Sequence, residues 1–131
     1  MWNATAQTMP AEQLRALQTE RLLAQVQRLY DRVPFYRGRM DAEGVTPADV
    51  RTLADIRHLP FTSKYDMREV FPFGLLAVDR DEIVEVHMSS GTTGKPVVDA
   101  YTRGDLALWG DVMGRTLDMG DVGASDVVQV A

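Results

Sequence analysis

The spacing of the apolar residues changes near Gly74, and this change constrains the fold more than any other feature of the sequence. Before Gly74, apolar residues recur at helical spacing and predict a long amphipathic helix between Pro10 and Pro34. Two shorter helices are predicted after it, with Thr52 and Thr62 as candidate N-terminal caps. The apolar face of the long helix consists of Leu14, Leu17, Leu22, Leu23, Val26, Leu29 and Tyr30.

After Gly74 the pattern becomes that of strands. Residues 82–88 alternate, with Val84, Val86 and Met88 on one face, and predict a first strand. Residues 97–101 predict a second strand, and residues 103–119 return to helical spacing.

The last residues predict a third, largely buried strand over 127–131. An apolar terminal strand needs neighbours, so we expect an incomplete, truncated sheet whose edge at Val127, Val128 and Val130 supports self-association. The predicted fold class is α/β, with a helical N-terminal lobe over residues 1–75. The start of a larger α/β domain, incomplete here, is predicted over residues 76–131.

Charge and cysteine content exclude several classes of protein. The 131 residues carry 14 Lys and Arg against 19 Asp and Glu, and this net charge of −5 argues against a nucleic-acid partner. The chain has no cysteine, which excludes disulfides, thiolate metal sites and a thiol nucleophile. With neither a signal peptide nor an apolar stretch long enough for a membrane span, we expect a cytoplasmic protein.

One segment between the first two predicted strands has the chemistry of a polyphosphate site. Glycines let successive backbone N–H groups converge on an anion, hydroxyls donate to phosphate oxygens, and a lysine adds positive charge. The segment and predicted binding residues are Ser89, Ser90, Gly91, Thr92, Thr93, Gly94 and Lys95, followed by Pro96. The P-loop of nucleotide hydrolases does not fit, because it needs glycine where Ser89 stands and Ser or Thr where Pro96 stands. The P-loop also joins a strand to a helix, whereas this segment joins two strands.

The segment does resemble the phosphate loop of the acyl-adenylate-forming enzymes, and within them the chain resembles the phenylacetate–coenzyme A ligase family. The resemblance covers nearly all of the chain and depends on the order of several blocks. These are Val33-Pro34-Phe35-Tyr36, Leu59-Pro60-Phe61-Thr62-Ser63-Lys64, Phe71-Pro72-Phe73-Gly74, the loop with Pro96, Tyr101-Thr102 and residues 126–131. One departure is Asp99, where relatives tend to have an aliphatic residue, and it puts local packing or ligand electrostatics in doubt.

The resemblance implies a two-step ligase. A carboxylate, such as phenylacetate or another aryl carboxylate, attacks the α-phosphorus of ATP, and the thiol of coenzyme A then takes the acyl group and releases AMP. Residues 89–95 would hold the β- and γ-phosphates, with Mg²⁺ sharing their charge. The adenine-stacking motif, the ribose-binding aspartate and the C-terminal lysine of the family would lie beyond Ala131. We therefore predict no catalytic residue and no metal ligand within this chain, no activity for the chain alone, and a homodimer for the intact enzyme.

Two alternatives remain open: a related adenylate-forming ligase for another carboxylate, and a non-catalytic interaction module with the same fold.

Among single residues, His58 is predicted to be solvated, and His87 to pack or hydrogen-bond, with substrate contact as its alternative. Lys64 is expected to be exposed in a first helical turn, although it could reach a phosphate. Further predictions concern two groups. The stripe Trp109, Met113 and Leu117 is expected in the core, and the aromatic residues Phe35, Tyr36, Phe61, Phe71 and Phe73 in a satellite core, or else at a substrate entrance.

Overall fold

The computed structural model describes residues 1–89 and 96–129. Four α-helices come first: α1 (Ala4–Gln7), α2 (Ala11–Arg32), α3 (Pro34–Ala42) and α4 (Lys64–Glu69), with 3₁₀ turns at Pro47–Asp49 and Leu53–His58. A 3₁₀ turn at Arg80–Glu82 leads into β1 (Ile83–Met88), β2 (Val98–Thr102) and α5 (Arg103–Met119). Helices followed by strands and a helix confirm the α/β class. No helix within the two described ranges is both long and apolar enough to cross a bilayer.

The long helix ends where proline predicts, but a second helix begins there. Val33 has extended backbone angles, φ −118° and ψ 99°, because the ring of Pro34 disfavours helical geometry in the preceding residue. Pro34 is then the first residue of α3, where its missing N–H leaves no bond unmade. Helix α3 was not predicted, since Pro34 indicated only an end.

The core of the helical lobe is small. Val26 in α2, Met40 in α3 and Val50, which follows the 3₁₀ turn Pro47–Asp49, are each 3% exposed and pack together. Val33, at the junction of α2 and α3, is completely buried. Partly buried residues pack around this centre: Leu22, Leu23, Tyr30, Val45 and Leu59.

Reciprocal side-chain caps begin the short elements. The predicted pairing of Thr52 with Asp55 is confirmed, although the element that follows is a 3₁₀ turn. The predicted cap at Thr62 is wrong by one residue: Ser63 caps α4, because Asp66 stands three residues after it and completes the box.

Asp66 joins two helices and is the only polar residue among those described that is buried. Its Oδ2 accepts hydrogen bonds from the Ser63 hydroxyl and the Ser63 N–H, both at 2.7 Å, and its Oδ1 pairs with the guanidinium of Arg39 in α3. The hydrogen bond from the Ser63 hydroxyl, then that from its N–H, holds the pKa of the Asp66 carboxyl below its model-compound value of 3.8, and Arg39 adds to this.

We expect this carboxylate to make stability depend on pH. Because the folded pKa lies below the unfolded one, the stabilisation is present above about pH 4 and is lost as the pH falls through the folded pKa. The free energy of unfolding of the wild type, measured by urea denaturation, should therefore fall steadily as the pH drops below 4. Asp66→Asn should make this acid limb of the pH curve shallower and should lower the free energy of unfolding at pH 7. Glu20→Gln, at an exposed position of α2, is the control and should leave the limb in place. An Asp66→Asn curve parallel to the wild type would contradict the assignment.

The strands form an antiparallel hairpin, and residues 127–129, the described part of the predicted third strand, are not a strand. β1 pairs with β2 from Ile83 opposite Thr102 to Met88 opposite Val98, with an irregularity between Ile83 and Glu85. Residues 127–129 are irregular and Val127 is 98% exposed, while Val130 and Ala131 lie outside the described residues. A strand requires a hydrogen-bonding neighbour, and none of the described segments pairs with residues 127–129.

The stripe on α5 is also not the core that its spacing predicts. Trp109, Met113 and Leu117 remain 42%, 46% and 40% exposed. The hairpin covers the stripe only in part, through the contact of Tyr101 in β2 with Trp109. The N-terminal segment packs against Gly114, where a Cβ would stand 2.5 Å from the ring of Trp2. Periodicity thus identified the apolar face correctly but not how much of it the described residues cover.

Candidate functional site

The hairpin brings the two ends of the predicted phosphate loop together. The Ser89 N–H donates to the Val97 carbonyl at 3.0 Å, and the Val97 N–H donates to the Ser89 hydroxyl oxygen at 2.9 Å. These two bonds form the neck of the loop. Of the predicted binding residues only Ser89 is described; Ser90, Gly91, Thr92, Thr93, Gly94 and Lys95 lie outside the described residues.

One face of the hairpin beside this neck is polar and aromatic. The Nε2 of His87 lies 2.5 Å from the Oε1 of Glu85, and the His87 ring makes edge contacts with Tyr101 and Trp109 at centroid distances of 5.1 and 5.6 Å. The predicted packing and hydrogen-bonding role of His87 is confirmed by these contacts. Asp99 stands directly opposite His87 in the register and is exposed.

The opposite face is apolar and open. Val84, Val86 and Met88 are 45%, 46% and 64% exposed, so the alternation that predicts β1 also places its apolar side correctly. No described element covers these side chains enough to bury them.

A cavity of about 220 Å³ lies where the helical lobe meets β2. Met67, Phe73 and Leu76 line one side of it, and Asp99 and Tyr101 the other. Asp99, the predicted departure, is therefore one of the residues that line this cavity, and it lies in the strand that leaves the loop.

The five aromatic residues do not form one satellite core. Phe35 and Tyr36 contact each other edge to face at 5.3 Å, and Phe73 lies under the guanidinium of Arg80, but Phe61 is 94% exposed. Phe61 and Tyr36 instead border an apolar groove of about 360 Å³ between α2, α3 and residues 56–62. The prediction of one satellite core failed because a high number of aromatic residues in the sequence does not mean that their side chains contact one another.

The remaining candidates are on the surface. His58 is exposed beside Arg57, as predicted, and Lys64 is exposed in the first turn of α4. Within residues 1–89 and 96–129 no three His, Asp or Glu side chains meet in an arrangement that could hold a metal ion.

Sequence reasoning missed the tie between Arg39 and Asp66 and the ring cluster of His87, Tyr101 and Trp109. The first depends on the unpredicted helix α3. For the second a signal existed, because Tyr101 and His87 lie two register positions from each other on predicted strands, but the register of the hairpin was needed to use it.

Comparison with known proteins identifies what the chain resembles. It is 50% identical over 117 residues to a phenylacetate-coenzyme A ligase of Thermus thermophilus, a match that covers 89% of this chain and 26% of that protein. Ligases of the same name from Aromatoleum evansii and Escherichia coli are 47% and 42% identical and cover 92% and 95% of this chain. The chain spans only about a quarter of the length of these curated relatives, which fits an N-terminal segment. No family model matches it.

Solved structures agree. A 2-hydroxyisobutyryl-CoA ligase in complex with 2-HIB-AMP and CoA superposes with a TM-score of 0.69 and 34% identity, over 75% of this chain and 22% of that one. A second structure of such a ligase, in complex with 2-HIB-AMP in the postadenylation state, gives a TM-score of 0.67 and 32% identity. The chain therefore has the fold of part of an adenylate-forming CoA ligase.

Proposed function

We propose that this chain is the N-terminal part of an AMP-forming phenylacetate–coenzyme A ligase, and that residues 89–95 are its ATP phosphate-binding loop. The observation that supports this most is the identity of 40–50% to four phenylacetate-coenzyme A ligases over 89–95% of the chain. An alignment of 117 residues in a chain of 131 necessarily includes the loop.

In the proposed first step, a carboxylate oxygen of the acid forms a bond to the α-phosphorus of ATP. The bond from that phosphorus to the bridging oxygen breaks, and pyrophosphate leaves. In the second step, the sulfur of coenzyme A bonds to the acyl carbon, the thiol proton is lost, and AMP departs with the former acyl–oxygen bond electrons.

The loop would act on the departing pyrophosphate. Backbone N–H groups around Gly91 and Gly94, the four hydroxyls and Lys95 can donate to the β- and γ-phosphates. Donors that gain strength as negative charge moves onto pyrophosphate lower the barrier more than donors that merely bind ATP. Mg²⁺, when bound with ATP, would share this charge; the described residues offer no cluster of ligands for it, so no ligand is assigned.

The proposal divides the chain into a helical lobe over residues 1–75 and the start of an ATP-binding domain over 76–131. We also propose that the intact enzyme is cytoplasmic and forms a homodimer. The chain of 131 residues is proposed to have no activity alone. The exposure of Val127 and Val128 supports self-association of that chain.

The decisive experiment is phenylacetate-dependent exchange between ATP and pyrophosphate, with AMP formation on addition of coenzyme A, in the full-length protein that carries this chain. We expect both activities with phenylacetate, and none from the 131-residue chain. Exchange by the 131-residue chain would overturn the claim that it is inactive. If the full-length protein gave no exchange with any carboxylate, the ligase proposal would fail and the non-catalytic interaction module would be the remaining hypothesis.

A ligase for another carboxylate is the second candidate. It is favoured by the 34% identity to 2-hydroxyisobutyryl-CoA ligase. Comparing phenylacetate with 2-hydroxyisobutyrate and benzoate in the same exchange assay separates the two, since the preferred acid should give the highest kcat/KM.

A further inference from the structure

The first residues of the chain bond to α5, which lies 108 to 111 positions later in the sequence. The indole N–H of Trp2 and the side-chain amide of Asn3 both donate to Asp111 Oδ1, at 3.2 and 3.0 Å. The side-chain amide of Gln7 donates to Asp118 Oδ2 at 2.6 Å. The two aspartates are about two helical turns apart, so both carboxylates lie on the same side of α5.

Gly114 lies between these two carboxylates and makes room for the indole ring of Trp2. A Cβ at Gly114 would stand 2.5 Å from the ring, well inside van der Waals contact, so the ring can lie there only against glycine. A Cβ at Gly110, one turn earlier in α5, would have no neighbouring atom within 4 Å. Glycine lowers the stability of a helix interior, and at position 114 the contact with Trp2 gives it a use.

The two amide side chains fold the N-terminal segment as well as dock it. The Asn3 Oδ1 accepts from the Ala6 N–H at 3.0 Å and caps α1, while the amide nitrogen of the same side chain bonds to Asp111. The Gln7 Oε1 accepts from the Asn3 N–H at 2.8 Å, while its amide nitrogen bonds to Asp118. Helix α1 has four residues and none of them is buried, and isolated helices shorter than about 12 residues are marginal at best in water. Its stability must therefore come from the contact with α5.

We propose that residues 1–8, which we call the strap, fold only when they are seated on α5. The seat is the side of α5 formed by Asp111, Gly114 and Asp118. Because each amide side chain takes part in both sets of bonds, loss of the seat also frees the side chains that hold the helical turn. The strap therefore has two states, helical and docked or unfolded and released, and release uncovers this side of α5. This switch is independent of the proposed ligase activity.

The test is amide hydrogen exchange in the full-length protein that carries this chain, followed at the Ala6 and Thr8 amides of the strap. Gln7→Glu keeps the oxygen that accepts from Asn3, but it replaces the donor to Asp118 by a carboxylate that repels it. If docking folds the strap, the protection of both amides should fall about tenfold or more. Gln18→Glu, the same substitution at an exposed position of α2, is the control and should leave them protected.

Two glycines of α5 provide a matched pair of substitutions for the seat. Gly114→Ala should displace the Trp2 ring and lower the protection of the strap, whereas Gly110→Ala should leave the strap protected. The amides of α5 should stay protected in both variants, because alanine favours a helix. In a Trp2→Ala background, Gly114→Ala should have no further effect on the strap, since the ring that it displaces is absent.

Three results would overturn the proposal. Unprotected Ala6 and Thr8 amides in the wild type would show that the strap is not docked in the intact protein. Unchanged protection in Gln7→Glu would show that the turn folds without α5. Equal loss of strap protection in Gly110→Ala and Gly114→Ala would assign the effect to α5 as a whole and not to the seat.

Discussion

Replacing Lys95 with alanine in the full-length protein should lower the kcat of phenylacetate-dependent pyrophosphate exchange by about 10²-fold, the usual loss for one preorganised group that stabilises transition-state charge. Lysine offers a compact positive charge suited to phosphate, and under the proposed function the negative charge near it would grow as pyrophosphate leaves. Because the effect concerns the departing group, kcat should fall more than the affinity for ATP.

Arg21→Ala is the control for this prediction, since it removes one positive charge from an exposed position of α2. It should leave exchange unchanged. Lys95→Arg should recover part of the lost rate, because the charge returns with a different shape. Unchanged exchange in Lys95→Ala would mean that the loop does not act on the pyrophosphate.

Replacing Met40 with alanine should lower the free energy of unfolding of the 131-residue chain by about 2–5 kcal/mol, the range for removing a large buried side chain. Met40 is 3% exposed and packs with Val26 and Val50, where α2 meets α3. A core with so few buried residues has little with which to fill the cavity that remains. Urea unfolding followed by circular dichroism measures the change.

Met119→Ala provides the matched comparison, because the same side chain is 82% exposed at the end of α5. Its effect should stay within about 0.5 kcal/mol of zero, as for most surface substitutions. Equal effects of the two substitutions would show that residues 22–59 do not form the core of this chain.

Local sequence signals predicted most of the elements. The helix over 103–119 was predicted with the bounds that it has, and the strands β1 and β2 within one residue at each end. Capping is decided within four residues, so Thr52 with Asp55 could be recognised without knowing the fold. Proline at position 34 ended α2 correctly for the same local reason.

Signals that depend on a partner surface failed. Residues 127–129 have the composition of a strand but no neighbour among the described residues, and an isolated extended segment gains no ladder hydrogen bonds. The spacing of Trp109, Met113 and Leu117 specifies a face, but burial requires another surface against it. Proline 34 can end one helix or begin the next, and the sequence alone suggested only the first.

The sequence by itself determined the end of α2 at Pro34, the two strands of the hairpin, helix α5 and the cap at Thr52, and it predicts that residues 89–95 have the chemistry of a phosphate loop, because each of these depends on a short run of side chains. Only the tertiary structure decided that Asp66 ties α4 to Arg39, that His87 meets Tyr101 and Trp109, and that Ser89 closes onto Val97. These contacts join residues from 8 to 27 positions apart. Their geometry is set by helix packing and strand register, which no local pattern specifies.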